Sequence, residues 1–577
     1  MRQPSETAGS ADLPAWGAQE GEIEMKLPVP ALTALRLGAA LTLRTALTLG
    51  GTALTLGVAP AMAGTLTVCL EGSPEVFNPH LSSSGTTATV LGQIYDTLVE
   101  VAPGGSTIEP SLAESWEVSA DGKDYTFHLR KDVAWQANAD FTPSRPFNAD
   151  DVLFTFQRMM DPGHPYHEIN GGNYITFATK LADAIDSVEK RDDYTVVFHL
   201  KAPLAPFIGI MSHGSIAMTS AEYADVLLKA GKPEQFDREP IGTGPFQLQA
   251  YQSDSIVRLL PFAGTWGVAA GKDSAMPKVD AIIMAISPDA SVRVQRALAG
   301  ECGIAFYPNL TDAPQIEASE KLDLVHVPIP STGFISFNFG LDKFKDLRVR
   351  QALGHAINMD ALVEVVFSGL GKPTGSVIPA SLWGHADDLK PYSYDPALAK
   401  KLLAEAGYPD GLSTELWAIP VARPYMPNGR RAAEMVQADW AAIGVKAEIV
   451  SYEWAEYIQR ARNHEAEVAM FGGTWDFPDP SQIPNNYFTC DSKGVPSPSN
   501  VGSWCDPDFN AVMAKAGAIS DQAERAKLYD EAQHILYDQV PAVMFGGSDQ
   551  LIVVSKDVKG YVPAVFGTGR MSGVSVD

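Results

Sequence analysis

The sequence has no G-x-S-x-G elbow, no H-E-x-x-H helix motif and no Cys–His pairing, so the common nucleophilic and zinc hydrolases lack sequence support. Its glycine-rich turns miss the nucleotide patterns. In Ile241-Gly-Thr-Gly-Pro-Phe246 the third glycine position holds Gln247, and in Gly369-Leu-Gly-Lys-Pro373 the glycine spacing fails. Basic residues are scarce: 43 Lys and Arg stand against 69 Asp and Glu, a net charge of −26. That balance excludes nucleic acid and an anionic membrane surface as partners. No apolar run reaches the ~20 residues of a membrane span, and no internal repeat is visible. His164 and His167 sit in a Gly/Pro-rich loop and read as surface residues rather than metal ligands. Asp476 and Asp479 could form a hydrolytic carboxylate pair, but across a proline turn their spacing reads as capping. No catalytic residue, metal or cofactor is assigned.

What is present is a long chain. At 577 residues it exceeds one core, and two or three lobes are expected. Its N-terminus reads as an extension plus an export signal over 1–63. Lys26, Arg36 and Arg44 supply positive charge, Thr45 to Val58 is apolar and small, and Ala61-Met-Ala63 is an A-x-A cleavage pattern. Met25 is a candidate start, because 1–24 is acidic and polar, and no Cys at the cleavage point suggests a lipid anchor. The four cysteines, Cys69, Cys302, Cys490 and Cys505, lie in the exported part. An even count there points to two disulfides, Cys490 with Cys505 closing a short loop and Cys69 with Cys302 tying down the N-terminus. Zinc is the rival reading, but no CxxC or neighbouring His pair accompanies them.

The exported part reads as mixed α/β. Gly64 to Leu70 is a first strand and Thr86 to Val99 a helix with Val90, Ile94, Tyr95 and Leu98 on one face. Asp121-Gly122 turns a hairpin, Asn148 caps a helix running through Met160, and Val188 to Leu200 is a second hairpin. Phe334 to Phe339 is a strand, and helices start at Leu347 and Asp360. From Tyr394 helices and strands alternate, ending with helix Gln522 to Gln539 and strand Ala542 to Phe545. This alternation predicts a parallel-type sheet.

Two charged residues stand out. In Ala469 to Pro480 an apolar strand breaks at Gly472-Gly473 and delivers Asp476 between Trp475 and Phe477. A carboxylate with such neighbours is costly unless a cation meets it, and a ligand cation would serve; otherwise Asp476 caps a turn. Arg423 follows a strand over Leu416 to Val421 and precedes Pro424-Tyr-Met-Pro-Asn428. A guanidinium held in a proline-rich loop suits bidentate carboxylate recognition; otherwise it is an exposed loop arginine.

From Gly64 to Asp577 the chain resembles the periplasmic dipeptide-binding group of ABC importers, within family 5 of the solute-binding proteins. The likeness is carried by Glu71-Gly-Ser-Pro-Glu75, Ser84-Gly-Thr-Thr87, Tyr125-Thr-Phe-His-Leu-Arg-Lys131, Asn148-Ala-Asp-Asp-Val152, Pro240-Ile-Gly-Thr-Gly-Pro-Phe246, Ser287-Pro-Asp-Ala-Ser-Val-Arg293, Tyr452-Glu-Trp454 and Asp557-Val-Lys-Gly-Tyr561. The resemblance implies a two-lobed fold with a hinge of two crossing strands and an extra α/β domain. Lobe I would be discontinuous over 64–97, 251–327 and 547–577, the extra domain 98–250, and lobe II 328–546. It implies the same two disulfides, a peptide ammonium on Asp476 and a peptide carboxylate on Arg423. Thr474 and Tyr425 would neighbour the peptide backbone, with Gly473 and Trp475 beside them, and Ser83-Ser84-Gly85 would close from lobe I. The local order departs from the group's Trp-Thr-Gly-Asp: here it is Gly473-Thr474-Trp475-Asp476. The implied protein is a monomer of the periplasm that binds a short peptide and delivers it to an inner-membrane permease. Haem or glutathione, carried by relatives, is the alternative ligand, and an exported peptidase the rival from another class.

Overall fold

The computed structural model describes residues 64–577 other than 83, 173, 175–180, 270–275, 453, 492 and 498. The export signal therefore lies outside the described residues. Among those residues, no helix is long and apolar enough to cross a membrane.

Thr65–Leu70 alternates as a strand should, and Leu66, Val68 and Leu70 are buried. It lies at the centre of a seven-stranded mixed sheet, ordered Leu322–Val327, Gln550–Ser555, Ile304–Phe306, Thr65–Leu70, Ala281–Ile286, Ile256–Pro261, Phe246–Gln252. The Cys69–Cys302 disulfide links this strand to the turn before Ile304–Phe306, with Cα atoms 5.8 Å apart, and Cys490–Cys505 closes the second loop at 5.7 Å. Both spans are ordinary for a disulfide, and the expected pairing is present.

A second sheet has five strands in the order Lys446–Val450, Ser413–Trp417, Val468–Thr474, Ser331–Phe337, Ala542–Gly546. The expected parallel sheet is only half realised. Ser413–Trp417 runs parallel to both its neighbours, but Ser331–Phe337 is antiparallel to both of its own. The reason is connectivity: the chain enters Ser331–Phe337 directly from the seven-stranded sheet through residues 328–330 and, after Ala542–Gly546, returns through residues 547–549. These two connections lie side by side, since a Cβ on Gly547 would sit 2.1 Å from the Ser331 hydroxyl.

Residues 113–200 form a four-stranded antiparallel sheet with the hairpin turning at Gly122, φ +69°. The Asn148 cap is realised as a full capping box on helix Ala149–Met160, reciprocated by Asp151. Around this sheet, buried apolar residues from 98 to 241 form one cluster; those of the five-stranded sheet and its helices form another, and the seven-stranded sheet supports the rest.

Two local expectations are overturned. The helix expected through Val99 ends at Leu91, because the Ile94 carbonyl is taken by Gly244 N–H and Val99 turns into a strand, Val99–Val101. The strand expected to reach Val421 stops at Trp417, three residues short of Pro420, which lacks an N–H for a ladder.

Candidate functional site

Strand Val468–Thr474 carries the first charged candidate. It does not break at Gly472-Gly473. Both glycines stay in the ladder, opposite Gly333 and Thr332. What they supply is room: a Cβ on Gly472 would lie 2.5 Å from the Tyr425 ring, and one on Gly473 2.4 Å from Ile483. Beyond Thr474 the backbone N–H of Trp475 donates to Pro330 O at 3.0 Å, and the indole is buried. Phe477 is buried too, but in the cluster built by residues 98–241, against Gly209. Asp476 thus bridges two hydrophobic clusters. Its side chain is 43% exposed, less buried than its neighbours implied. Gln482 grips it twice: Nε2 donates to Oδ2 at 2.6 Å, and the Asp476 N–H donates to Gln482 Oε1 at 2.9 Å. His213 Nε2 stands 3.9 Å from the same oxygen.

Arg423 is held by a turn rather than a strand end. It and Met426 exchange backbone hydrogen bonds of 3.1 and 2.9 Å. At the top of this turn the Pro424 carbonyl accepts from both the N–H and the hydroxyl of Ser548, at 3.1 and 3.0 Å. The guanidinium lies 4.9 Å from the centre of the Trp454 ring, a cation–π contact, and its Nη1 donates to the Ala422 carbonyl at 3.0 Å. Tyr425 is buried. Burial raises its phenol above the ordinary value, opposed by Arg423.

The third group comes from the first strand region. Gly85–Leu91 is a short helix whose N-cap Ser84 makes no side-chain capping bond; Ser83 lies outside the described residues. A Cβ on Gly85 would be 3.4 Å from the Tyr307 hydroxyl. Tyr307 holds a left-handed backbone, φ +51°, a conformation that costs energy for an aromatic residue. Tyr307 is 38% exposed, and local desolvation of its phenol, with Glu71, raises it above the ordinary value against the pull of Arg423 and Arg293. Thr86 donates its hydroxyl to Glu71, tying the helix to that carboxylate.

The structure therefore brings Gly473, Thr474, Trp475 and Asp476 onto one strand end, packs Tyr425 against it, and sets Gly85 beside Tyr307, whose phenol lies within the field of Arg423. Sequence reasoning missed Gln482, Tyr307, Tyr487 and His213. Tyr487 donates to Gly472 O at 3.0 Å, and its i, i+4 spacing from Ile483 was the only available signal. The hydrolytic pairing of Asp476 with Asp479 is not realised: Asp479 is buried in an ion pair with Arg525 at 2.8 Å, joined by Tyr529. His164 lines a separate groove of about 480 Å³ with Arg145, Phe154, Tyr166 and Glu222, which includes none of these site residues.

The pattern of the bacterial extracellular solute-binding proteins, family 5 (middle), matches residues 107–494. The dipeptide-binding protein of Escherichia coli K12 is 44% identical over 521 residues, covering 90% of this chain and 96% of its own. Heme-binding protein A of Haemophilus influenzae is 39% identical over 515 residues, 89% of this chain and 92% of its own. Among solved structures, a dipeptide-binding protein of Pseudoalteromonas sp. SM9913 in complex with Met-Leu superimposes with a TM-score of 0.78 at 32% identity, over 89% of this chain and 100% of that one. A two-sheet fold with paired connections, and relatives that share it over almost their whole length, place this chain in family 5 of the bacterial extracellular solute-binding proteins.

Proposed function

We propose that this protein captures dipeptides and other short peptides in the periplasm and hands them to the inner-membrane permease of an ABC importer. The observation that carries the reading is the pairing of charge with architecture. Asp476 and Arg423 have opposite charge, sit on separate segments, and each segment is hydrogen-bonded to one of the two connections between the large sheets. A zwitterionic peptide satisfies both: its ammonium meets Asp476, its carboxylate meets the guanidinium, and Thr474, Tyr425, Gly473 and Trp475 surround its backbone. Ser84-Gly85 closes on it from lobe I. The lobes are taken as 64–97, 251–327 and 547–577 for lobe I, 328–546 for lobe II, and 98–250 for the extra domain, following a cleaved signal over 1–63. Ligand length is read by the separation of the two charges, while side chains are read weakly by a wet pocket. The protein acts as a monomer that binds and releases without bond cleavage. Native mass spectrometry of the protein as purified from periplasm, followed by calorimetry with dipeptides, tests this; failure to bind any dipeptide with a free ammonium and carboxylate would overturn it.

Haem capture is a second reading, favoured by the 39% identity to heme-binding protein A. Titration with haem decides it: a saturable Soret shift, with no peptide binding, would replace the peptide reading.

A further inference from the structure

We propose that His213 completes the ammonium site from the opposite wall of the cleft and makes peptide capture proton-linked, the loaded state requiring a neutral imidazole. This rests on the peptide reading above. His213 lies between helix Phe207–Ile210 and the 3₁₀ turn Gly214–Ile216, whereas Asp476 follows strand Val468–Thr474. Their meeting is built into the packing, because Phe477, next to Asp476, is buried beside Gly209 on the His213 side, 3.3 Å from where a Cβ would stand.

The ring's orientation is fixed by its own turn. Nδ1 accepts the Ser215 backbone N–H at 3.1 Å and lies 2.6 Å from the Ser215 hydroxyl. A backbone N–H can only donate, so Nδ1 carries the lone pair and the neutral ring bears its proton on Nε2, the atom that faces Asp476. At 3.9 Å that contact exceeds a direct hydrogen bond. Protonating Nδ1 would forfeit the Ser215 N–H bond. Asp476 is a charged group facing the ring. Gln482 adds an uncharged amide on the same carboxylate oxygen, and Tyr487, its phenol raised by burial, lies within the field of Asp476. Burial holds His213 below its ordinary value, and Asp476 pulls the other way.

A peptide ammonium on Asp476 occupies the charge that favours imidazolium and adds a cation beside the ring. The loaded site therefore binds the neutral form. Burial disfavours the imidazolium here, so wetting the ring as the cleft opens raises its proton affinity. Capture therefore strengthens as pH rises, because a proton must leave the ring before closure. Affinity falls by up to about tenfold per pH unit as pH drops.

The test uses the whole exported protein and the dipeptide Ala-Phe, by calorimetry at pH 5.0, 6.0 and 7.0. The parent is expected to bind at least about fivefold more weakly at pH 5.0 than at pH 7.0, and to release protons as the peptide binds. His213→Gln keeps an amide where Nε2 stood; His213→Asn keeps an acceptor for the Ser215 N–H. Neither titrates, so both are expected to vary less than threefold over this range and to release no proton. A variant that keeps the parent's pH profile, or a parent that releases no proton, overturns the assignment. Proton release by the parent is decisive even where a variant folds poorly. Absence of Ala-Phe binding at pH 7.0 sinks both readings, whereas binding with a flat profile sinks only the role of His213.

Discussion

Replacing Asp476 by Asn exchanges one oxygen for an amide nitrogen at nearly constant volume. The fold has two reasons to tolerate it. The backbone bond from Asp476 N–H to Gln482 Oε1, 2.9 Å, does not involve the side chain, and an Asn oxygen can still accept from Gln482 Nε2. What disappears is the charge. A charge-assisted hydrogen bond is worth about 1.5–3 kcal/mol. The Asp476 side chain is 43% exposed, so water screening moves the expectation to about 1.5–2 kcal/mol, or roughly 10–30-fold in Kd. Calorimetry with Ala-Phe and N-acetyl-Ala-Phe on parent and variant closes a double cycle that isolates the ammonium–carboxylate interaction. The parent is expected to favour the free peptide strongly and the variant to have lost most of that preference. A coupling below about 0.3 kcal/mol, within the scatter of independent sites, would leave Asp476 as a turn cap and move the ammonium site elsewhere.

Arg423→Ala is expected to erase discrimination between a dipeptide and its C-terminal amide, and Arg423→Lys to restore only part, since an ammonium supplies neither the planar fork nor the stacking on Trp454; calorimetry with both ligands shows it, and unchanged discrimination in the Ala variant refutes it. Thiol titration of the denatured exported protein should find no free cysteine, and loss of Cys490–Cys505 alone should cost about 3 kcal/mol in chemical denaturation, by loop-closure entropy. Asp479→Ala strands the buried Arg525 guanidinium and is expected to destabilise the fold by about 3–5 kcal/mol, read as a lowered urea midpoint.

Elements with local signals were legible. The Asn148 cap, the Asp121-Gly122 hairpin and helix Gln522–Gln539 all appear where the sequence placed them. The failures share a cause: a residue whose meaning depends on a distant neighbour. Ile94, Tyr95 and Leu98 have helical spacing and are buried, yet the Ile94 carbonyl is spent on Gly244, a contact no local pattern encodes. Gly472-Gly473 reads as a break because glycine permits turns as readily as close approach, and only the Tyr425 ring explains which was needed. At the site, Asp476 and Arg423 were visible because isolated charges among aromatic and proline residues are conspicuous. His213 was not, since a lone histidine in a short turn carries no periodicity or motif.

The two connections bear on how binding becomes a signal. One contains Pro328 and Pro330, which fix φ and donate nothing; the other begins at Gly546, φ +100°, where a Cβ would sit 2.2 Å from the Lys372 carbonyl. A stiff connection and a glycine-dependent one thus lie side by side where Gly547 meets Ser331. The Asp476 segment is bonded to the first through Trp475 and Pro330, and the Arg423 segment to the second through Pro424 and Ser548. On the peptide reading proposed above, a ligand that holds both charges acts one or two residues from these connections. No relay of side chains is required, and a ligand that engages only one charge loads only one connection. The peptide reading therefore predicts discrimination against singly charged ligands, in addition to the binding energy each lost contact would have contributed.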